Sequence, residues 1–145
     1  MTSTILPFRA LLLSLLSLMI IMRAESAYAQ TDVTGHWSGT FTSNHSDTDT
    51  AAAPFTLTID IKKDSTGKIN GDSTLGSHCL KNAHLEVTVT GSSVVLAGSD
   101  PQGDNITVRG SLDETGTLLD STYILNGSAT GACETDDGTG TLQKK

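Results

Sequence analysis

Few side chains of this 145-residue chain can do chemistry: four histidines, two cysteines and a surplus of carboxylates. The most reactive grouping is Ser77-His78, in a polar loop, with Glu134, Asp136 and Asp137 in a later one. A serine becomes a nucleophile when a histidine takes its proton and an acid orients that histidine. The chain has no G-x-S-x-G elbow to present such a serine and no recognisable oxyanion segment. Adjacent Ser-His is also common in ordinary loops, so the expectation is that this is not an enzyme. Metal binding meets a similar objection. His78, His84, Glu134, Asp136 and Asp137 form one acidic grouping, and His45, Asp47 and Asp49 form another. Neither has the spacing of a calcium loop. The distant Cys79 and Cys133 lack the paired spacing of a zinc site. These segments therefore read as solvated acidic loops, with no metal and no cofactor expected.

The compartment is easier to read than the chemistry. Residues 1–29 have the order of a cleavable signal peptide: Arg9, an apolar run over residues 11–22, polar residues, then Ala27-Tyr28-Ala29 as an A-x-A cleavage signature. The apolar run is too short for a membrane-spanning helix, which needs ~20 residues. Cleavage would leave a mature chain from Gln30, with no second apolar stretch to span a membrane. Loss of Arg9, Arg23 and Glu25 takes nine basic residues to seven and sixteen acidic ones to fifteen, a net charge of −8. That balance repels phosphate backbones, so no nucleic-acid partner is expected. An even cysteine count in an exported chain points to a Cys79–Cys133 disulfide. Asn44, Asn105 and Asn126 stand in N-x-S/T sequences, which matter only in a eukaryotic source.

Residues 30–145 read as one all-β domain. Phe55, Leu57, Ile59 and Ile61 alternate with Thr56, Thr58 and Asp60, and similar alternation recurs along the chain. A two-residue period rich in Thr and Val marks half-buried strands. Eight are expected, at about 34–43, 54–63, 68–76, 83–90, 93–98, 105–112, 117–126 and 138–143. The seventh has two possible phases. Facing Leu119, Tyr123 and Leu125 inward buries more apolar surface and leaves Asp120 outside.

Short and long connections alternate. Asp64-Ser65-Thr66-Gly67, Gly91-Ser92 and Asp113-Glu114-Thr115-Gly116 are tight turns in which glycine can supply positive φ. The links at about 44–53, 77–82, 99–104 and 127–137 are longer. In an up-and-down meander the short turns share one end and the long loops the other, which is where binding is expected first. The D-x-T-G turn occurs twice, each time followed by a strand and a cysteine. That repeat reads either as a duplication or as two hairpins with the same kind of turn. Both cysteines fall at the long-loop end, where their bond would draw the loops over the mouth. The expected architecture is an eight-stranded antiparallel up-and-down barrel with one disulfide, because closure removes exposed edges. An immunoglobulin sandwich is disfavoured, since Trp37 precedes both cysteines instead of lying between them.

The first strand contains Gly35-x-Trp37, which resembles the G-x-W on the first strand of lipocalins and related calycin barrels. The resemblance implies a barrel with the tryptophan packed across one end. It does not extend to a lipocalin C-terminal helix or to the aromatic lining of a biotin site. Trp37, Phe41, Phe55 and Tyr123 are the candidate barrel-lining residues. Small residues such as Gly71 and Gly110 thin the walls. The first functional expectation is a secreted or periplasmic binding protein for a small apolar ligand held among those aromatics. The alternative is an interaction or inhibitor protein acting through loops 44–53 and 127–137, with the barrel filled by its own side chains.

Overall fold

The computed structural model describes residues 31–45, 54–75 and 79–145. The segment read as a signal peptide, residues 1–29, lies outside the described residues, as do Asp47, Asp49, Ser77 and His78. Among the described residues the chain forms eight strands: β1 Gly35–Ser43, β2 Phe55–Lys63, β3 Ile69–Leu75, β4 Ala83–Thr90, β5 Ser93–Ser99, β6 Asn105–Leu112, β7 Leu118–Asn126 and β8 Asp136–Lys144. Each pairs antiparallel with the next, and β8 returns to β1 to close the barrel.

The alternation expected from the sequence sets which side of the wall each residue takes. Leu57, Ile59, Leu85, Leu96, Ile106, Val108 and Leu142 are buried inside, while the intervening Thr, Asp and Lys face water. The seventh strand takes the phase with Leu119, Tyr123 and Leu125 buried, leaving Leu118 at 39% and Ile124 at 49% exposure. The last strand begins two residues earlier than expected. Asp136 and Asp137, read as loop, extend the ladder opposite Leu125 and Ile124. Hydroxyl donors close to the Asp136 carboxylate make that inward carboxylate tolerable.

Both D-x-T-G turns are built alike. The Asp64 carboxylate accepts from the Thr66 and Lys68 amides and from the Thr66 hydroxyl. Asp113 accepts from the Thr117 and Leu118 amides and the Thr115 hydroxyl. Gly67 and Gly116 take the positive φ these turns require, 89° and 69°. The two copies of the internal repeat thus share one hydrogen-bonding scheme.

The barrel is plugged at its short-turn end by Trp37 and Val33, both buried, with the indole Nε1 donating to the Val33 carbonyl at 2.8 Å. At the long-loop end Phe41, Phe55 and Tyr123 pack on one another with ring centroids 5.2–6.0 Å apart. The wall behind them is glycine. A Cβ on Gly138 would lie 2.6 Å from the Tyr123 ring, and one on Gly140 would lie 2.5 Å from the Phe41 ring. Strand glycines here mark close approach of the backbone to the core.

Candidate functional site

The strand ends gather four connections at one end of the barrel. Three of them, residues 79–82, 100–104 and 127–135, are wired into one unit. The Cys79–Cys133 disulfide joins the first to the third, with Cα atoms 4.6 Å apart. Leu80, next to it, is fully buried.

The central residue of this unit is Asp104. Its carboxylate is buried and accepts three backbone N–H groups of the last long loop: Ser128 at 2.7 Å, Ala132 at 2.8 Å and Cys133 at 3.0 Å. Those donors, the Ser128 amide first, outweigh burial and hold the carboxyl below its usual range. Gly131 lies so close to the carboxylate that a side chain there would collide with it. The hydroxyls of Ser128 and Thr130 donate to the Gln102 carbonyl at 2.7 and 2.9 Å. Asp100 organises its own turn, accepting from the amides of Gln102 and Asp104. The loops thus have an internal skeleton of hydrogen bonds as well as a covalent tie.

A second cluster sits where the first long loop leaves β1. The Tyr123 hydroxyl donates to Asp136 at 2.5 Å, and Ser43 Oγ donates to the other carboxylate oxygen at 2.6 Å. Burial raises the Asp136 carboxyl, but the Ser43 and Tyr123 hydroxyls outweigh it and leave it below the ordinary value. Burial, and then the neighbouring Asp136, pushes the Tyr123 phenol well above the ordinary tyrosine value. His45 Nδ1 stands 3.4 Å from Asp136 and 3.3 Å from Asp137, and the Asn44 amide donates to Asp137. In this arrangement Ser43 gives its proton directly to a carboxylate bond. The imidazole of His45 lies beside the acid and not between it and the hydroxyl, so the cluster is not ordered for nucleophilic relay.

The acidic groupings read from the sequence are redistributed. Pairing of β1 with β8 brings His45 to Asp136 and Asp137, which sequence reading had assigned to separate clusters. His84 is not with them: it sits on the outer wall of β4, 3.2 Å from Asp72 across the strand pair. Glu134 is exposed in the last loop. Among the described residues no group of three or more His, Cys, Asp or Glu side chains is placed to hold a metal ion. Of the barrel-lining candidates, Trp37, Phe41 and Tyr123 are buried and Phe55 is half-buried at the mouth. Trp37 belongs to the opposite end from the other three.

No protein-family model matches the chain, and comparisons with curated proteins and with solved structures find no match.

Proposed function

We propose that this is an exported interaction protein, a filled barrel that presents its disulfide-tied long-loop end to a protein partner. The observation that carries this reading is the Asp104 clamp. One buried carboxylate holds three amides of the 127–135 loop, and the disulfide ties the same loop covalently at Cys133. A surface fixed before binding loses little conformational entropy on binding, which is how a loop surface gains affinity. Export is supported by the leader-like residues 1–29 and by a disulfide that an oxidising compartment would preserve. Kinship with lipocalin-like barrels is supported by strand order and by Trp37 closing one end.

A small apolar ligand would need room inside. Entry from the loop end would require moving the packed rings of Phe41, Phe55 and Tyr123, and entry from the other end would require moving Trp37 and Val33. The interior therefore favours the outside of the barrel as the working surface.

The test is to present the oxidised mature protein to the extracellular fluid of its source and to map what it retains. Ala129→Arg and Glu134→Arg alter exposed side chains of the clamped loop, and Thr88→Arg alters the outer wall of β4. The expected result is a partner kept by wild type and Thr88→Arg and weakened at least about tenfold by either loop substitution, ~1.4 kcal/mol. Retention indifferent to both loop substitutions overturns the reading. So does native mass spectrometry that finds a small molecule carried inside the barrel.

A further inference from the structure

Asn-Gly occurs twice in the chain, at Asn70-Gly71 and at Asn126-Gly127. The pair carries a chemistry of its own. The glycine backbone nitrogen can attack the side-chain carbonyl carbon of the asparagine, because no Cβ on glycine obstructs the approach. The new C–N bond closes a five-membered succinimide, and the side-chain nitrogen leaves as ammonia. Water then opens the ring at one of its two carbonyls. One opening restores the main chain and leaves aspartate. The other routes the main chain through the former side chain and leaves isoaspartate. Water is the only co-reactant, and asparagine counts among the thermolabile residues for this reason.

The fold treats the two pairs differently. Gly71 is buried inside β3, opposite Ile61 of β2 and Leu85 of β4. The Asn70–Gly71 peptide lies between two ladders and cannot turn toward the Asn70 side chain without breaking them. Asn126 is the last residue of β7, and Gly127 lies beyond the ladder; both are exposed. Among the described residues the Gly127 N–H donates to no acceptor. The side chain of Asn126 is restrained by one contact, its amide donating to Asn105 Oδ1 at 3.1 Å. A single neutral hydrogen bond of that kind is worth about 1 kcal/mol.

We propose that Asn126 is a self-modifying site, converted with age to aspartate and isoaspartate, and that isoaspartate there loosens the clamped loop. Ser128, two residues on, donates its amide to Asp104 at 2.7 Å, and the Ala132 and Cys133 amides join it. Isoaspartate adds one carbon to the main chain between the end of β7 and the Ser128 amide, roughly 1.5 Å of extra chain. Gly127 has no room to absorb it. A Cβ there would lie 2.0 Å from the Cys133 carbonyl oxygen, so this backbone already rests against the far side of the loop. The added length therefore falls on the Ser128–Asp104 hydrogen bond. Its consequence for partner binding rests on the function proposed above. The chemical step and the loosening do not.

Peptide mapping of the oxidised mature chain, aged at mildly alkaline pH, tests the proposal. After reduction, trypsin places Asn126 in the 110–144 peptide and Asn70 in the 69–81 peptide, each as the only asparagine. In the native chain the 110–144 peptide should gain aspartyl and isoaspartyl forms at least about tenfold faster than the other, ~1.4 kcal/mol in barrier. In the reduced, urea-unfolded chain the two should convert at similar rates, because the ladders that protect Asn70 are gone. Hydrogen exchange at the Ser128, Ala132 and Cys133 amides should quicken at least about tenfold in the isoaspartyl form. Asn126→Gln, which would have to close a six-membered ring, should keep its mass and its protection over the same period. Equal conversion of the two peptides in the native chain overturns the proposal, as does a 110–144 peptide that stays unconverted while the unfolded control converts. An isoaspartyl form whose three amides are as protected as before also overturns it. A loosened loop that still holds its partner would count against the function proposed above and not against this site.

Discussion

Replacing Phe41 by alanine tests whether the barrel is solid. The ring is wholly buried, with Phe55 nearly parallel at 6.0 Å and Tyr123 edge-on at 5.6 Å. Its backbone is held in register on both sides, opposite Phe55 in β2 and Gly140 in β8. Gly140 has no side chain to lean into the space, and its strand is fixed in the ladder, so the site collapses poorly. Deletion of a buried Phe side chain costs about 3–5 kcal/mol, more where surroundings cannot relax. Two aromatic contacts, each worth ~0.5–1.5 kcal/mol beyond their area, place the expectation near about 4 kcal/mol. Urea unfolding of the oxidised protein, followed by circular dichroism, should show that loss as a fall in midpoint at constant slope. Because an apolar engineered void stays dry, benzene should then stabilise the variant, by about 1.4 kcal/mol at ten times its Kd. Wild type should not respond to benzene. A loss below about 1.5 kcal/mol, together with benzene stabilising the wild type, would refute the solid interior and with it the argument against an internal ligand.

The disulfide closes a sequence separation of 54 residues, for which the chain-entropy model gives about 4 kcal/mol; the Cys79→Ala/Cys133→Ala pair should lower the urea midpoint accordingly. At low pH, Asp113 carries a clear signature, because the Thr115 hydroxyl, followed by the Leu118 and Thr117 amides, draws its carboxyl down to about 2. A carboxyl held below its unfolded value stabilises the fold fully above that value, so stability should fall as the pH drops from about 4 toward about 2. In thermal melts across that range Asp113→Asn should give a shallower fall than wild type, and an identical slope would contradict the turn geometry. At high pH the probe is Tyr123, the sole tyrosine after residue 29. Its phenol is held above the ordinary value, so the neutral form stabilises the fold below about pH 10 and that contribution is lost as pH rises further. The tyrosinate absorption band should therefore appear only with unfolding; an ordinary titration in the folded protein would disprove the Tyr123–Asp136 contact.

What could be read from the sequence was whatever a short stretch of chain decides for itself. Alternation over six or eight residues located all eight strands with their ends displaced by no more than two residues. In β7 the cost of burying Asp120 selected the phase that exposes Leu118 and Ile124. The Asp-x-Thr-Gly turns were readable for the same reason, since donor, acceptor and positive-φ glycine lie within five residues. The site was legible only as a location. Alternation of short and long links placed it at one end of the barrel, and cysteine parity placed the tie there. Asp104 gave no signal, because it sits in a polar turn where aspartate is ordinary and its partners are amides 24 to 29 residues away. A backbone N–H looks the same in every sequence, so nothing in residues 128–133 announces that three of them converge on one carboxylate. Register decides the rest in the same way: it carries His84 to Asp72 on the outer wall and His45 to Asp136 and Asp137 at the rim. Gly138 and Gly140 were the one clue available, since glycine inside a strand marks close backbone approach. Seen through the rings they touch, their role is packing: the missing side chains leave room on the inner wall for Phe41 and Tyr123. Phe41, Phe55 and Tyr123, seated on that bare backbone, close the loop end with the chain's own rings, which is why the proposed function turns to the loops above them and not to the space beneath.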